Sequence, residues 1–246
     1  MTWRSSLASA GRRVGVLLTA GAIVVGLAGC SDIVQGVVTV GVEDNGGLTL
    51  AQVEAMSTQE RFELLGEHEA RVRELMTPAQ EQISTGPWIW GTAGPASLWE
   101  GVSQFDSLRG ATDDNSYHME MTRLLQVEGE PGVQDDAEKM ALYFESQGWE
   151  TSRSYVNTDR ELDVNNYEVV AQTEDGYWLR YRVQETGYNN LTVFSGTFWA
   201  GDYMELKREA NHRVSVDEFS PFGDGSLPGQ YVPFPTWSDP KREGVE

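Results

Sequence analysis

Apolar residues recur every three or four positions in two parts of this chain and every second position in a third. Together these patterns predict the core of a fold. Around Thr58 to Ala79, Phe62, Leu65, Val72, Met76 and Ala79 fall on one helical face, with Glu63, Glu67 and Arg71 elsewhere and Glu69 interrupting the stripe. Ser57 with Glu60 has capping-box spacing, which starts this helix near Thr58, and Thr49 with Gln52 starts a shorter one near Leu50. Pro78, which has no amide hydrogen, predicts an end or kink at Thr77 and a short turn beyond. In the second helical stretch Asp135 with Glu138 caps a face of Ala137, Met140, Ala141 and Phe144, and Gly148 supplies the stop.

Alternation is clearest from Tyr177, where Leu179, Tyr181 and Val183 oppose Trp178, Arg180, Arg182 and Gln184. Strands are expected at Trp149 to Val156, Tyr167 to Thr173, Tyr177 to Gln184 and Leu191 to Trp199. The turn signals "EDG" and "ETGYNN" join the last three as hairpins. An earlier strand, "YHMEMTRL", sets Tyr117, Met119 and Met121 against His118, Glu120 and Thr122, and a further strand is expected near Arg213 to Phe219. Short connections imply an antiparallel β-meander of about four to five strands packed against amphipathic helices. That is an α+β fold, a two-layer sandwich. The Gly/Pro stretch "STGPWIWGTAGPASLWEG" reads as a loop carrying Trp88, Trp90 and Trp99. The tail from residue 221 to 246, rich in Pro and Gly, either wraps the domain or stays mobile.

The first thirty residues read differently. Arg4, Arg12 and Arg13 precede an apolar run from Val14 to Ala28, which is too short for the ~20 residues of a spanning helix and fits an export signal. Leu27, Ala28, Gly29 and Cys30 resemble the lipobox of bacterial lipoproteins. The resemblance implies cleavage before Cys30 and a diacylglyceryl group on its sulfur, giving a palmitate-type anchor. Two acyl chains hold a protein on a membrane stably, where one holds marginally. The pair Arg12 and Arg13 leaves the export route open between the general secretory and twin-arginine systems. The expected organisation is a signal peptide (1–29), a lipidated N-terminus and linker (30–47), one extracytoplasmic α+β domain (48–220) and the Pro/Gly-rich tail (221–246). The linker stretch, "SDIVQGVVTVGVEDNGG", is either a short strand or extended chain.

Removing the leader takes three of the 18 basic residues and none of the 38 acidic ones, so the formal charge moves from −20 to −23. Such an acidic surface argues against nucleic acid and against electrostatic adhesion to anionic headgroups. Cys30 is the single cysteine, so no disulfide or thiolate metal site can form, and stability must come from a core. "DNGGLTLAQVE" lacks the acidic ladder of a calcium loop.

The order of elements resembles the LppA-type lipoproteins of mycobacteria and related actinobacteria. The likeness is carried by the lipobox, "DDAEKMALYFESQGWE", "NNYEVVAQTEDGYWLRYRV", "NNLTVFSG" and "LPGQYVPFPTW", and spans residues 50 to 237 in layout. The resemblance brings no established activity and no catalytic residues.

A screen for chemistry finds no G-x-S-x-G elbow and no paired histidines on a helix face around His68. His68, His118 and His212 lie far apart and read as surface or satisfied polar residues. Asp113 with Asp114, and Asp135 with Asp136, read as turns and caps. No catalytic residue, cofactor or metal is therefore expected. Trp88, Trp90, Trp99, Trp149, Trp178, Trp199 and Trp237 read mainly as core, with Trp178 as the exception because it shares a strand face with Arg180 and Arg182. Those three residues form the candidate ligand face. The expected function is a non-enzymatic, lipid-anchored binding or accessory domain at the cell envelope, with an envelope protein or glycan as partner. The alternative is a glycan-binding module or a glycan-active hydrolase using surface carboxylates.

Overall fold

The computed structural model describes residues 41–91, 97–126, 134–159, 164–184, 186–213 and 225–242. Leu27, Ala28, Gly29 and Cys30 lie outside them. Among the described residues no helix is long and apolar enough to cross a membrane.

Both predicted capping boxes form, at Thr49 for α1 (Leu50–Glu54) and at Ser57 for α2 (Thr58–Ile83). The expected break at Pro78 does not occur, and α2 runs through it. Met76, Ala79 and Gln80 are all buried there, so packing on both sides of the proline holds the turn that propensity alone would break. The interruption of the apolar stripe is also real: Glu69 is buried and reaches Arg73 one turn on, at 2.6 Å. The helix α3 (Gln134–Ser146) buries the four residues expected, and Gly148 follows it with φ of +80°.

The strands are β1 (Ile89–Trp90), β2 (Ser97–Glu100), β3 (Ser116–Gln126), β4 (Glu150–Asp159), β5 (Val164–Gln172), β6 (Trp178–Gln184), β7 (Tyr188–Phe194) and β8 (Phe198–Trp199). They form one antiparallel sheet in the order β1-β3-β7-β6-β5-β4, with β2 and β8 also pairing with β3. The predicted meander is thus β4 to β7, and β3 adds to its β7 edge. The fold is α+β, as the patterning implied, but the sheet is wider because β1 and β2 come from the stretch expected to be loop. The strand expected from Leu191 to Trp199 starts earlier and divides at Ser195–Thr197. There Asn45 fills the space beside Gly196, so closely that a Cβ on Gly196 would meet its side chain. That contact, with Asp44 accepting from the Trp199 amide at 3.0 Å, ties the end of the expected linker to the sheet.

One helix was not expected. The helix α4 (Tyr203–Arg213) buries Tyr203, Leu206, Ala210 and Arg213 and packs beside α2. It ends at Arg213, where a strand was predicted to begin; the rest of that strand, 214–219, is outside the described residues.

Alternate strand residues face the helices. Met119 and Met121 of β3, Val169 and Ala171 of β5, Leu179, Tyr181 and Val183 of β6, and Leu191 and Val193 of β7 join Phe62, Leu65, Met76, Met140 and Phe144 in one core. Over its described residues, 225–242, the tail takes the first of its two expected forms. Ser226 pairs with Trp88, and Tyr231, Phe234 and Trp237 pack on the core. Three arginines fasten it. Arg73 donates to the Val232 carbonyl at 2.6 Å, and Arg123 donates to Ser226 Oγ at 2.7 Å and to its carbonyl at 2.9 Å. Arg213 stands 4.1 Å above the Trp237 ring and donates to its carbonyl. Arg123 is fully buried, lies 3.8 Å from the Trp90 ring and leaves Nε and Nη1 without hydrogen-bond partners among the described residues. Burial pulls its guanidinium down to about 10, still charged at neutral pH.

Candidate functional site

Because side chains alternate across a strand, the residues opposite the core share the sheet's other face. Strand register aligns them in rows: Val170, Arg180, Thr192 and Thr122; then Glu168, Arg182, Asn190 and Leu124; then Gln172, Trp178, Phe194 and Glu120. Trp178, Arg180 and Arg182 are therefore brought together, but only Arg180 keeps the character of an open ligand group.

Trp178 stacks on Phe105, with ring centroids 5.0 Å apart and planes 17° apart, and Phe105 meets Phe194 edge-on at 4.9 Å. Phe105 lies on the segment between β2 and β3. Hydrogen bonds from the Ser103 amide to Thr197 Oγ1 at 3.0 Å and from the Thr197 amide to Asp106 Oδ2 at 3.1 Å hold that segment to the sheet. One end of the outer face is thus roofed by the protein itself. Arg182 donates through Nε and Nη2 to one oxygen of Glu168, its cross-strand neighbour, at 3.0 and 2.6 Å. Its charge is already matched.

Arg180 lies between them, its guanidinium 4.8 Å above the Phe194 ring. Among the described residues it makes no ion pair. Burial first, and then the nearby Arg182, draw it below the ordinary arginine value, while Glu168 and Glu120 act the other way. Around it Gly91, Glu120, Thr122, Leu124, Arg182, Asn190 and Thr192 line a groove of about 250 Å³. The Thr122 and Thr192 hydroxyls bond each other at 3.0 Å, and Thr122 also donates to Glu120 at 3.3 Å. Gly91 keeps the rim low, since a Cβ there would come within 2.7 Å of Thr122. Glu120 and the threonines escaped the sequence reading. Their alternation was visible, but nothing local said that β3 would lie beside β7.

The histidines stay apart. His68 is buried, stacked 3.6 Å from Phe198, and its Nδ1 lies 2.8 Å from the Tyr117 hydroxyl. Burial drives its pKa down to about 4, so it is neutral at physiological pH. His118 is on β3 beside Trp99 of β2, and His212 is near the end of α4. Asp135 and Asp136 occupy the first turn of α3, and the Asp114 carbonyl accepts from the Tyr203 amide. Among the described residues no three His, Cys, Asp or Glu side chains converge on a metal position. Trp88, Trp90 and Trp199 are buried, while Trp99 is 48% exposed.

No protein-family profile matches this chain, and comparison with curated proteins gives no match. Among solved structures it is similar to LppA from Mycobacterium tuberculosis, a protein described as a lipoprotein. The identity is 13%, the likeness covers 64% of this chain and 88% of that one, and the TM-score is 0.37.

Proposed function

We propose that this chain is a lipid-anchored extracytoplasmic protein, held at the membrane by a diacylglyceryl group on Cys30. In this reading it works without catalysis, as a binding or accessory domain of the cell envelope. The outer sheet face is its ligand surface. The observation that carries the reading is Arg180, a half-buried cation with no ionic partner among the described residues, on the sheet face opposite the helix-packed core. A charge held partly out of water without a partner is unfavourable unless something else uses it.

Two experiments test the two halves. A photo-crosslinking residue at Thr122 should capture an adduct in intact membranes, while the same residue at Glu67, exposed on α2, should not. Equal capture at both, or none at Thr122, refutes the face. Cys30→Ala should leave the leader uncleaved and release the protein from its lipid-dependent membrane fraction, and unchanged fractionation and mass would refute the anchor. The glycan-module alternative has less support, because Trp88 and Trp90 are buried and Phe105 covers one side of Trp178.

A further inference from the structure

We infer that the groove around Arg180 takes a small zwitterion carrying an ammonium and a carboxylate group, such as a short peptide with free termini. This rests on the outer face being a binding surface, and goes beyond it by naming the chemistry of the occupant. Four charged side chains stand on that part of the face. Arg182 and Glu168 neutralise each other at 2.6 Å, which leaves Arg180 and Glu120. These two lie on β6 and β3, with β7 between them and in neighbouring rows, so their backbones are two strand spacings apart across the sheet and two residues apart along it, roughly 12 Å. They sense each other electrostatically but form no ion pair.

A lone anion placed at Arg180 would also face Glu120, and a lone cation at Glu120 would face Arg180. A molecule bearing both charges satisfies both. Arginine presents a planar fork that matches a carboxylate bidentately, and a glutamate oxygen accepts from an ammonium. Thr192 and Thr122, which share Arg180's row and lead across to β3, provide donors and acceptors for an amide bond, and Asn190 adds its amide on the far side of that row. The volume, about 250 Å³, is below the roughly 300–1,000 Å³ of pockets for drug-sized ligands, so the occupant is smaller than those.

The test uses the full-length protein in detergent and isothermal titration at low ionic strength. Four probes are compared: dialanine with both termini free, its N-acetyl form, its C-terminal amide, and the doubly blocked form. The free dipeptide should bind at least about tenfold more tightly than either singly blocked form, the loss expected for one charge-assisted contact. Glu120→Gln should erase the preference for a free amine and keep the preference for a free carboxylate. Arg180→Gln should do the reverse, with unchanged circular dichroism in both variants. If the doubly blocked peptide binds as tightly as the free one, the zwitterion assignment is wrong while the face remains a binding surface. If no probe binds, the assignment is also overturned, and the crosslinking at Thr122 independently decides whether the face binds anything.

Discussion

Gly66 occupies the interior of α2, where glycine is about 1 kcal/mol less favourable than alanine. Phe234 of the tail explains it. A Cβ on Gly66 would lie 2.9 Å from Cδ1 and 3.1 Å from Cε1 of that ring, inside the ~3.5–4.0 Å at which carbon atoms rest. Phe62 stands beside the same ring at 5.2 Å between centroids, which limits where the ring can go. Gly66→Ala should therefore gain about 1 kcal/mol of helix stability and displace Phe234. Phe234 is half-buried, so displacement loses part of the ~1.5–3 kcal/mol of a fully buried phenylalanine, together with an aromatic contact of ~0.5–1.5 kcal/mol. The expected net effect is a destabilisation of about 1–2 kcal/mol. In a Phe234→Ala background there is no ring to displace, and the same substitution should stabilise by about 1 kcal/mol. Urea unfolding of the four members of this double-mutant cycle, followed by tryptophan fluorescence, measures the reversal. If Gly66→Ala stabilises both backgrounds equally, the tail does not seat on α2 as described.

Arg123→Ala should destabilise by about 3–5 kcal/mol, through lost tail contacts and a cavity. Arg123→Met, which fills the space and removes a buried charge, should recover at least half of that in the same unfolding assay. His68 gives a pH signature. An unfolded histidine protonates near 6.5 and the folded one only near 4, so between those values the unfolded state binds more protons. Stability should therefore fall by up to about 3 kcal/mol as pH drops from 6.5 to 4 and level off below. Asp44, whose carboxyl is raised by burial, contributes in the opposite sense. His68→Gln, which keeps a polar partner for Tyr117, should flatten that part of the curve, and an unchanged slope would remove His68 as its source.

The alternation of β6 and its two hairpins was legible because adjacent strands are joined by turns of a few residues, so local pattern and tertiary pairing coincide. The helix α3 was legible for a similar reason: its stripe and stop lie within a dozen or so positions, although it begins at Gln134, so Asp135 sits in its first turn and not at its cap as expected. What was missed depends on distant partners. Tyr203, Leu206, Ala210 and Arg213 have helical spacing, but the intervening residues are so polar that the stripe is faint, and its burial comes from α2. Pro78 broke the local rule because tertiary packing overrode it. Trp178 looked open in the sequence, and only Phe105, seventy-odd positions earlier, closes one side of it. Arg123 read as one more residue on a strand, yet its hydrogen-bond partners are Trp88 and Ser226. Of the candidate groove, the two arginines could be read from one strand. Glu120 and the two threonines required the β3–β7 pairing.

The clasp formed by Arg73, Arg123 and Arg213 has a consequence for how the molecule is made. Among the described residues, two of the three side-chain hydrogen bonds of the fully buried Arg123 go to Ser226, and the aromatic rings that cover α2 come later still. A ribosome must therefore pass Trp237 before the interior can seal. The growing chain stays open until residues 226 to 237 arrive, and a stop codon ahead of Ser226 would strand a charged guanidinium inside an unfinished body.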